Sequence, residues 1–262
     1  MVTRTYQERF KTLQGVFDAF TQRNLFELES RRIYDELVMP IKVGKESNVF
    51  IAKRRESKGK ENYGTESTGT EKKGRESYVI VKIYRIQNCD FKRMFHYIKQ
   101  DPRYDELRQH RREIIFSWVQ REYKNLLKAA KAGVSVPKPL GWRAHILVEE
   151  LIGDAKEGNP AQSIKDAPPK NPKEFAQKIL VEIKKLYHAG LIHGDLSSFN
   201  ILNNAEEPYF IDFSQGTITT TPNSHELLKR DIRNVSQFFG KLGLKIDEEK
   251  VFKEIVEPEK ND

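Results

Sequence analysis

Residues 191–202 read LIHGDLSSFNIL and residues 208–216 read PYFIDFSQG. Between Asn200 and Asp212 the pattern is strand, tight turn and strand, which folds the chain back on itself and brings Asn200 and Asp212 to one edge. Taken singly, Asp195, Asn200 and Asp212 are ordinary turn or capping residues. Taken together they supply what transfer of a phosphoryl group demands. Asp195 is a carboxylate to stand beside an acceptor hydroxyl, and Asn200 and Asp212 are oxygen ligands to hold a divalent cation against phosphates.

Two charges farther upstream point to the same chemistry. Lys82 lies in SYVIVKIY (77–84), a strand whose other residues are mostly apolar, and an ammonium buried there needs an anion. Glu122 shares a helix face with Trp118 and Leu126, at steps of four residues, and has the opposite problem. Each charge is the natural partner of the other, and a strand Lys held by a helix Glu is a device for presenting an ammonium to phosphates. The turn GKESNVF (44–50) sits between two extended segments, where its backbone N–H groups and the Ser47 hydroxyl can cradle phosphate oxygens. It matches neither GxGxxG nor GxxxxGK[ST], so alone it says little.

Around these residues the chain divides readily. Residues 6–38 carry apolar side chains at near-helical spacing and read as an N-terminal helical extension over 1–38, stopped at Pro40. Residues 39–152 read as a strand-rich lobe with one main helix from Ile114 to Ala132. That lobe is interrupted by a Gly/Glu/Ser/Thr/Lys-rich insertion at 56–76, expected to be disordered, and by a basic flexible loop with a short helix at 85–112. Residues 153–262 read as a mostly helical lobe that begins with a Pro-rich linker at 159–172 and ends in a helix over about 224–242. The fold class expected is α+β, in two lobes. With 37% hydrophobic residues among 262 the chain can bury a sizeable core. It holds no apolar run of bilayer-spanning length and starts with no secretory leader, so a cytoplasmic protein is expected. The single cysteine, Cys89, excludes an internal disulfide and fits a reducing compartment. A formal charge of +8 suits an anionic partner.

The segments GKESNVF, VKIYR, WVQREYKNLLKAAKAGVSVPKP, LVEELIG, HGDLSSFN, FIDFSQG and RDIRNVSQFF together resemble the RIO family of atypical serine/threonine protein kinases, in family order across residues 41–240. VKIYR and REYKNL are most similar to the Rio-one branch, whereas GKES is closer to Rio-two. The resemblance implies a truncated two-lobed protein-kinase-like fold, preceded here by N-terminal helices, in an archaeal, cytoplasmic member. It implies an enzyme that binds ATP with Mg²⁺, or Mn²⁺ in its place, that autophosphorylates, and that works as a kinase, an ATPase or both on a maturing small ribosomal subunit, through rRNA or a ribosomal protein. By the same resemblance Asp195 is the catalytic proton acceptor, Asn200 and Asp212 bind the metal, Lys82 with Glu122 and Ser47 binds the phosphates, and Asp212 can carry an aspartyl-phosphate. Glu150 and Ile152 meet the adenine edge through their main chain.

Two departures stand out. No Ser or Thr occurs between Ile86 and Glu113, where family members carry an autophosphorylated Ser, so that site is expected instead near Ser67 and Thr68. Glu149 stands where an apolar residue is usual just before the adenine-binding segment, either at the back of the adenine pocket or facing solvent. Two other readings compete. HGDxxxxN also occurs in small-molecule phosphotransferases of the aminoglycoside and choline type, which need a larger helical lobe than the short stretch after Asp212 provides. A nucleotide-gated ribosome-binding module with little turnover would account for the basic loop equally well.

Overall fold

The computed structural model describes residues 17–55, 76–87 and 89–257. Nearly all of the Ser/Thr-rich insertion, with Ser67 and Thr68, lies outside them, as does the start of the N-terminal extension. The first described element is helix α1 (Ala19–Ser30), capped by Asp18, whose carboxylate accepts from the Thr21 amide at 2.7 Å. Its buried residues Thr21, Asn24, Leu25 and Leu28 recur at helical spacing. The helix does not continue to residue 38 as the apolar spacing predicts. Arg32 adopts a left-handed conformation (φ 56°), the Ile33 amide turns back to Leu28 O, and strand β1 (Glu36–Val43) follows. Pro40 therefore lies inside a strand. It is tolerated because β1 is an edge strand with a register shift just after it.

Strands β1, β2 (Ser47–Arg55), β3 (Glu76–Tyr84), β4 (Pro139–Arg143) and β5 (Ile146–Glu150) form an antiparallel sheet in the order β1-β2-β3-β5-β4. Side chains alternate across it. Val79, Val81 and Ile83 of β3 join Phe50, Ala52, Ile146 and Val148 under Leu25 and Leu28 of α1. Ile80, Lys82 and Tyr84 therefore face the other way. On that side runs α3 (Arg111–Lys131), preceded by α2 (Phe91–Lys99), which buries Met94 and Ile98 in the same core. The short helix expected in the basic stretch is thus an integral part of the core, and the described part of 85–112 is built onto α3.

The second half contains α4 (Pro172–His188), α5 (Ser224–Gly240) and α6 (Glu248–Val256), the last beyond the helical region read from the sequence. The Pro-rich stretch is not a free linker. It forms two short strands, Asn159–Pro160 and Gln162–Ser163; the latter pairs with Leu202 and Asn203, and Ile164 is buried. Residues Ile201–Asn204 and Glu207–Phe210 make a hairpin with Ile201 opposite Phe210, turning through Ala205 and Glu206, both at positive φ. No helix among the described residues is long and apolar enough to cross a membrane.

One apolar cluster runs from Leu147 in the sheet through Trp118, Leu126 and Ala129 of α3 to Ile179, Ile192, Phe210, Phe213 and Phe239. Helix α3 thus belongs to the cores of both halves. Leu126→Ala, at a fully buried position, is expected to cost about 2–5 kcal/mol and to leave a single guanidinium unfolding transition. Two separated transitions would show that the halves do not share this core.

Candidate active site

The centre of the site is a set of charges, with Lys82 and Glu122 buried and Asp212 half-buried at the cleft. Lys82 Nζ lies 2.9 Å from Glu122 Oε1 and 3.0 Å from Asp212 Oδ1. The Tyr84 hydroxyl donates to the other Glu122 oxygen, so both oxygens of a carboxylate that is 0% exposed are occupied. Sequence reasoning misses Tyr84. Its clue is its place two residues from Lys82 on the same strand face. Burial alone would lower the Lys82 pKa, but the charges of Asp212 and Glu122 outweigh it and hold the ammonium well above its ordinary range. Burial likewise pushes Asp212 up, yet Lys82 and the hydrogen bond from Ser214 Oγ (2.6 Å) bring it down to about 2. Burial also pushes the Glu122 carboxyl up, and Lys82 opposes this; with two donors on its oxygens, Glu122 is the ionised partner of the pair.

Asp212 is delivered by the hairpin. The Ile211 amide donates to Asn200 O at 3.0 Å, which sets Asn200 and Asp212 side by side. Asp212 itself lies just past the strand in a left-handed conformation (φ 64°, ψ 67°), a costly geometry for a residue with a Cβ. Asn125 of α3 holds the turn that follows, donating through Nδ2 to Gly216 O (2.8 Å) and Phe213 O (3.3 Å).

Asp195 stands in a loop that is fixed mainly by main-chain bonds. The Asp231 carboxylate on α5 accepts from the amides of Gly194 (2.8 Å) and Leu196 (2.9 Å), Asn234 donates to Leu196 O (2.9 Å), and Arg230 donates to Gly194 O. Burial raises Asp231 to about 7, against the pull of these two amides. Sequence reasoning misses Asp231 as well, although it lies on the apolar face formed by Leu227, Leu228, Ile232 and Val235. His193 is buried and held neutral, its pKa pushed down to about 4 by burial. Its Nε2 donates to Ile211 O (3.0 Å) and its Nδ1 accepts from the Asp195 amide (3.3 Å). Burial, and then the Asp212 charge, raise the Asp195 carboxyl above its usual range, opposed by Arg230 and Arg93.

Lys82, Asn200 and Asp212 open onto a cleft of about 710 Å³ lined also by Gly44, Ser47, Ile80, Glu149, Glu150 and Ile152, among others. Glu122 lies behind Lys82, outside that lining. Asp195 is not among the residues that line the cleft; it is tied to the lining residue Asn200, whose Nδ2 donates to its main-chain carbonyl at 2.9 Å. That bond leaves the Asn200 Oδ1 acceptor uncommitted. The Glu150 amide already donates to Lys138 O (2.9 Å). Glu149 does not face solvent. It is 8% exposed and lines the cleft. No group of three or more His, Cys, Asp or Glu able to hold a metal alone occurs among the described residues. The donor set still fits a hard cation of the Mg²⁺ type, which takes few protein oxygens and completes its shell with phosphate and water; Asn200 Oδ1 and the second Asp212 oxygen are the groups available.

The architecture is similar to that of the crystal structure of the Chaetomium thermophilum Rio2 kinase–ADP/Mg²⁺–phosphoaspartate complex, with a TM-score of 0.62 at 21% identity over 90% of this chain and 66% of that one. A β-sheet lobe joined to a helical lobe across a charged cleft is a kinase-like fold. The RIO domain model matches residues 48–251. Over 237 residues the chain is 38% identical to the RIO-type serine/threonine-protein kinase Rio1 of Methanocaldococcus jannaschii, covering 90% of this chain and 74% of the relative. The RIO-type serine/threonine-protein kinase Rio1 of Haloferax volcanii is 33% identical over 255 residues, 97% of this chain and 81% of that one. The chain belongs to the RIO family of serine/threonine protein kinases.

Asp231→Asn keeps one acceptor oxygen and replaces the other by a donor, so one of the two loop amides loses its partner. The expected cost is about 1–3 kcal/mol of stability, together with a fall in turnover larger than any rise in KM for nucleotide. Unchanged melting and turnover would show that the loop does not depend on this carboxylate.

Proposed function

We propose that this chain is a cytoplasmic, Mg²⁺- and ATP-dependent serine/threonine protein kinase that autophosphorylates, also hydrolyses ATP, and acts on precursors of the small ribosomal subunit. The observation that carries the reading is the Lys82 ammonium fixed between Glu122 and Asp212 at the inner end of the cleft, with Asn200 beside Asp212. In this reading Lys82 holds the α and β phosphates, the Gly44–Ser47 turn covers the phosphate tail, and the Glu150 carbonyl and Ile152 amide meet the adenine. Asn200 and Asp212 hold Mg²⁺, which, when bound, neutralises charge on the phosphates. Mn²⁺ would suit the same oxygens.

Asp195 orients the acceptor hydroxyl and takes its proton as the hydroxyl oxygen bonds to the γ-phosphorus and the bond to the β-phosphate bridging oxygen breaks, releasing ADP. Its raised pKa makes it a better base than an exposed Asp. ATP hydrolysis follows the same geometry in two steps. The Asp212 oxygen that Lys82 and Ser214 do not engage attacks the γ-phosphorus as the bond to the β-phosphate bridging oxygen breaks and ADP leaves; water, its proton taken by Asp195, then cleaves the acyl-phosphate to regenerate the carboxylate and free phosphate. The Chaetomium thermophilum Rio2 complex is one with ADP, Mg²⁺ and phosphoaspartate, which supports this order for a relative. A ribosomal partner is supported by the net charge of +8 and by the basic side chains of Arg108, Arg111 and Arg112 near the start of α3.

Turnover of γ-labelled ATP by three variants tests the assignment. Asp195→Asn is expected to lower turnover by about 100-fold or more while nucleotide affinity changes little. Lys82→Met is expected to raise the KM for ATP, and Asp212→Asn to abolish hydroxylamine-sensitive label on the protein. Wild-type turnover in the Asp195 and Lys82 variants would overturn the catalytic reading. For the partner, the wild type is expected to co-sediment with small-subunit precursors in an ATP-dependent manner that Asp212→Ala changes. Identical sedimentation with and without ATP would remove the nucleotide-gated part.

A further inference from the structure

Glu149 is a carboxyl that neither the ion triad nor the phosphoryl transfer employs. It sits on β5 opposite Ile80, on the sheet face that carries Lys82 and Leu147, and it immediately precedes Glu150. It is 8% exposed and lines the cleft, and its Oε2 is buried without a hydrogen-bond partner among the described residues. A buried polar atom without a partner costs about 1–3 kcal/mol. A neighbour of Lys82 that forms no ion pair with it is a residue kept for something else. Ile80, its cross-strand partner, and Ile152 lie with it in the cleft lining, so a hydrogen-bonding group stands beside apolar side chains, as in a nucleobase pocket.

We infer that Glu149 is a specificity-determining residue that reads the 6-amino and N7 edge of adenine, as a neutral carboxylic acid giving one hydrogen bond and accepting one. This inference rests on the nucleotide-site reading above. A protonated carboxyl offers an O–H donor and a carbonyl acceptor side by side. The N7/6-amino edge of adenine offers the complementary acceptor and donor, the pairing by which Asn or Gln reads adenine elsewhere. Guanine presents two acceptors, N7 and O6, on the same edge, and the carbonyl oxygen of the acid would face one of them unpaired. Burial, followed by the charges of Glu122 and Asp212 and opposed by Lys82, moves the Glu149 pKa up to about 8, which favours the neutral form near pH 7. The side chain thus selects adenine from the inner edge, while the main chain of 150–152 meets the outer edge.

The test is equilibrium binding of four triphosphates, each with Mg²⁺, to the full chain and two variants. The ligands are ATP, 7-deaza-ATP, purine riboside triphosphate (no 6-amino group) and GTP. The wild type is expected to bind ATP about two- to tenfold more tightly than either analogue lacking one group, and to disfavour GTP by more. Glu149→Gln, with the same donor and acceptor, is expected to preserve these ratios. Glu149→Met is expected to bring ATP, 7-deaza-ATP and purine riboside triphosphate to near equality, with melting at or above the wild-type temperature. Equal binding of ATP and both analogues by the wild type, or ratios unchanged in a folded Glu149→Met, would overturn the inference and leave the site reading intact. No binding of any of the four by the wild type would overturn both.

Discussion

An ammonium buried in the middle of a β-strand cannot stand alone, and much of this architecture follows from how Lys82 is satisfied. Its two partners come from different parts of the chain: Glu122 from the middle of α3 and Asp212 from the end of the β-hairpin in the second half. Losing either partner would leave charge stranded in a poorly solvated place, at a cost of several kcal/mol. The ion triad therefore joins the sheet, the helix shared by both cores and the end of the hairpin into one geometry. Two carboxylates face one ammonium, so the cluster carries a surplus negative charge at the point where it meets the cleft. Such a surplus favours a cation beside Asp212 without any further acidic ligand.

Around this centre the molecule relies on main-chain hydrogen bonds to hold strained or exposed segments. Asp212 keeps a left-handed backbone because the residues on both sides are held: Ile211 by Asn200, and the turn 213–216 by Asn125. The loop carrying Asp195 is held by one stretch of α5, through Arg230, Asp231 and Asn234. The role proposed for Asp195 needs such fixing, since a small displacement forfeits most of the gain from positioning. Asn125 and Glu122 lie on one helix, three residues apart, so α3 orients both the lysine and the Asp212 turn.

What can be read in the sequence divides along the same physical lines. Lys82 and Glu122 are legible because a charge in an apolar pattern is conspicuous and its remedy is another charge. Asn200 and Asp212 are legible because a hairpin of fixed length has only one way to bring its ends together. Asp231 is not, although it too interrupts an apolar face, because its partners are amides, which every residue but proline has and which leave no mark in the sequence. The end of α1 is hidden for a related reason. Ile33 and Leu37 continue the helical spacing, and the left-handed turn at Arg32 occurs at a residue type with no preference for it. The Pro-rich stretch passes for a linker because strands of two residues carry no periodicity, and their place is set by the neighbouring hairpin edge.

The charge balance of the cleft also constrains Glu149. Lys82 is the ammonium at the centre of this cluster, and Glu122 and Asp212 already share it. A third ionised carboxyl on the same sheet face would face two like charges with no cation left to offset them. Protonation is the cheaper outcome, in keeping with a pKa moved up to about 8 by burial and by Glu122. A neutral acid beside Ile80 and Ile152 is no longer an electrostatic partner for the Lys82 end of the cleft. It is a directional hydrogen-bonding group, and its sheet face is set because β5 is paired on both sides, with β3 and β4. The two ends of the cleft therefore differ in kind: one is governed by the charges of Lys82 and Asp212, the other by a single uncharged hydrogen-bonding acid beside apolar side chains.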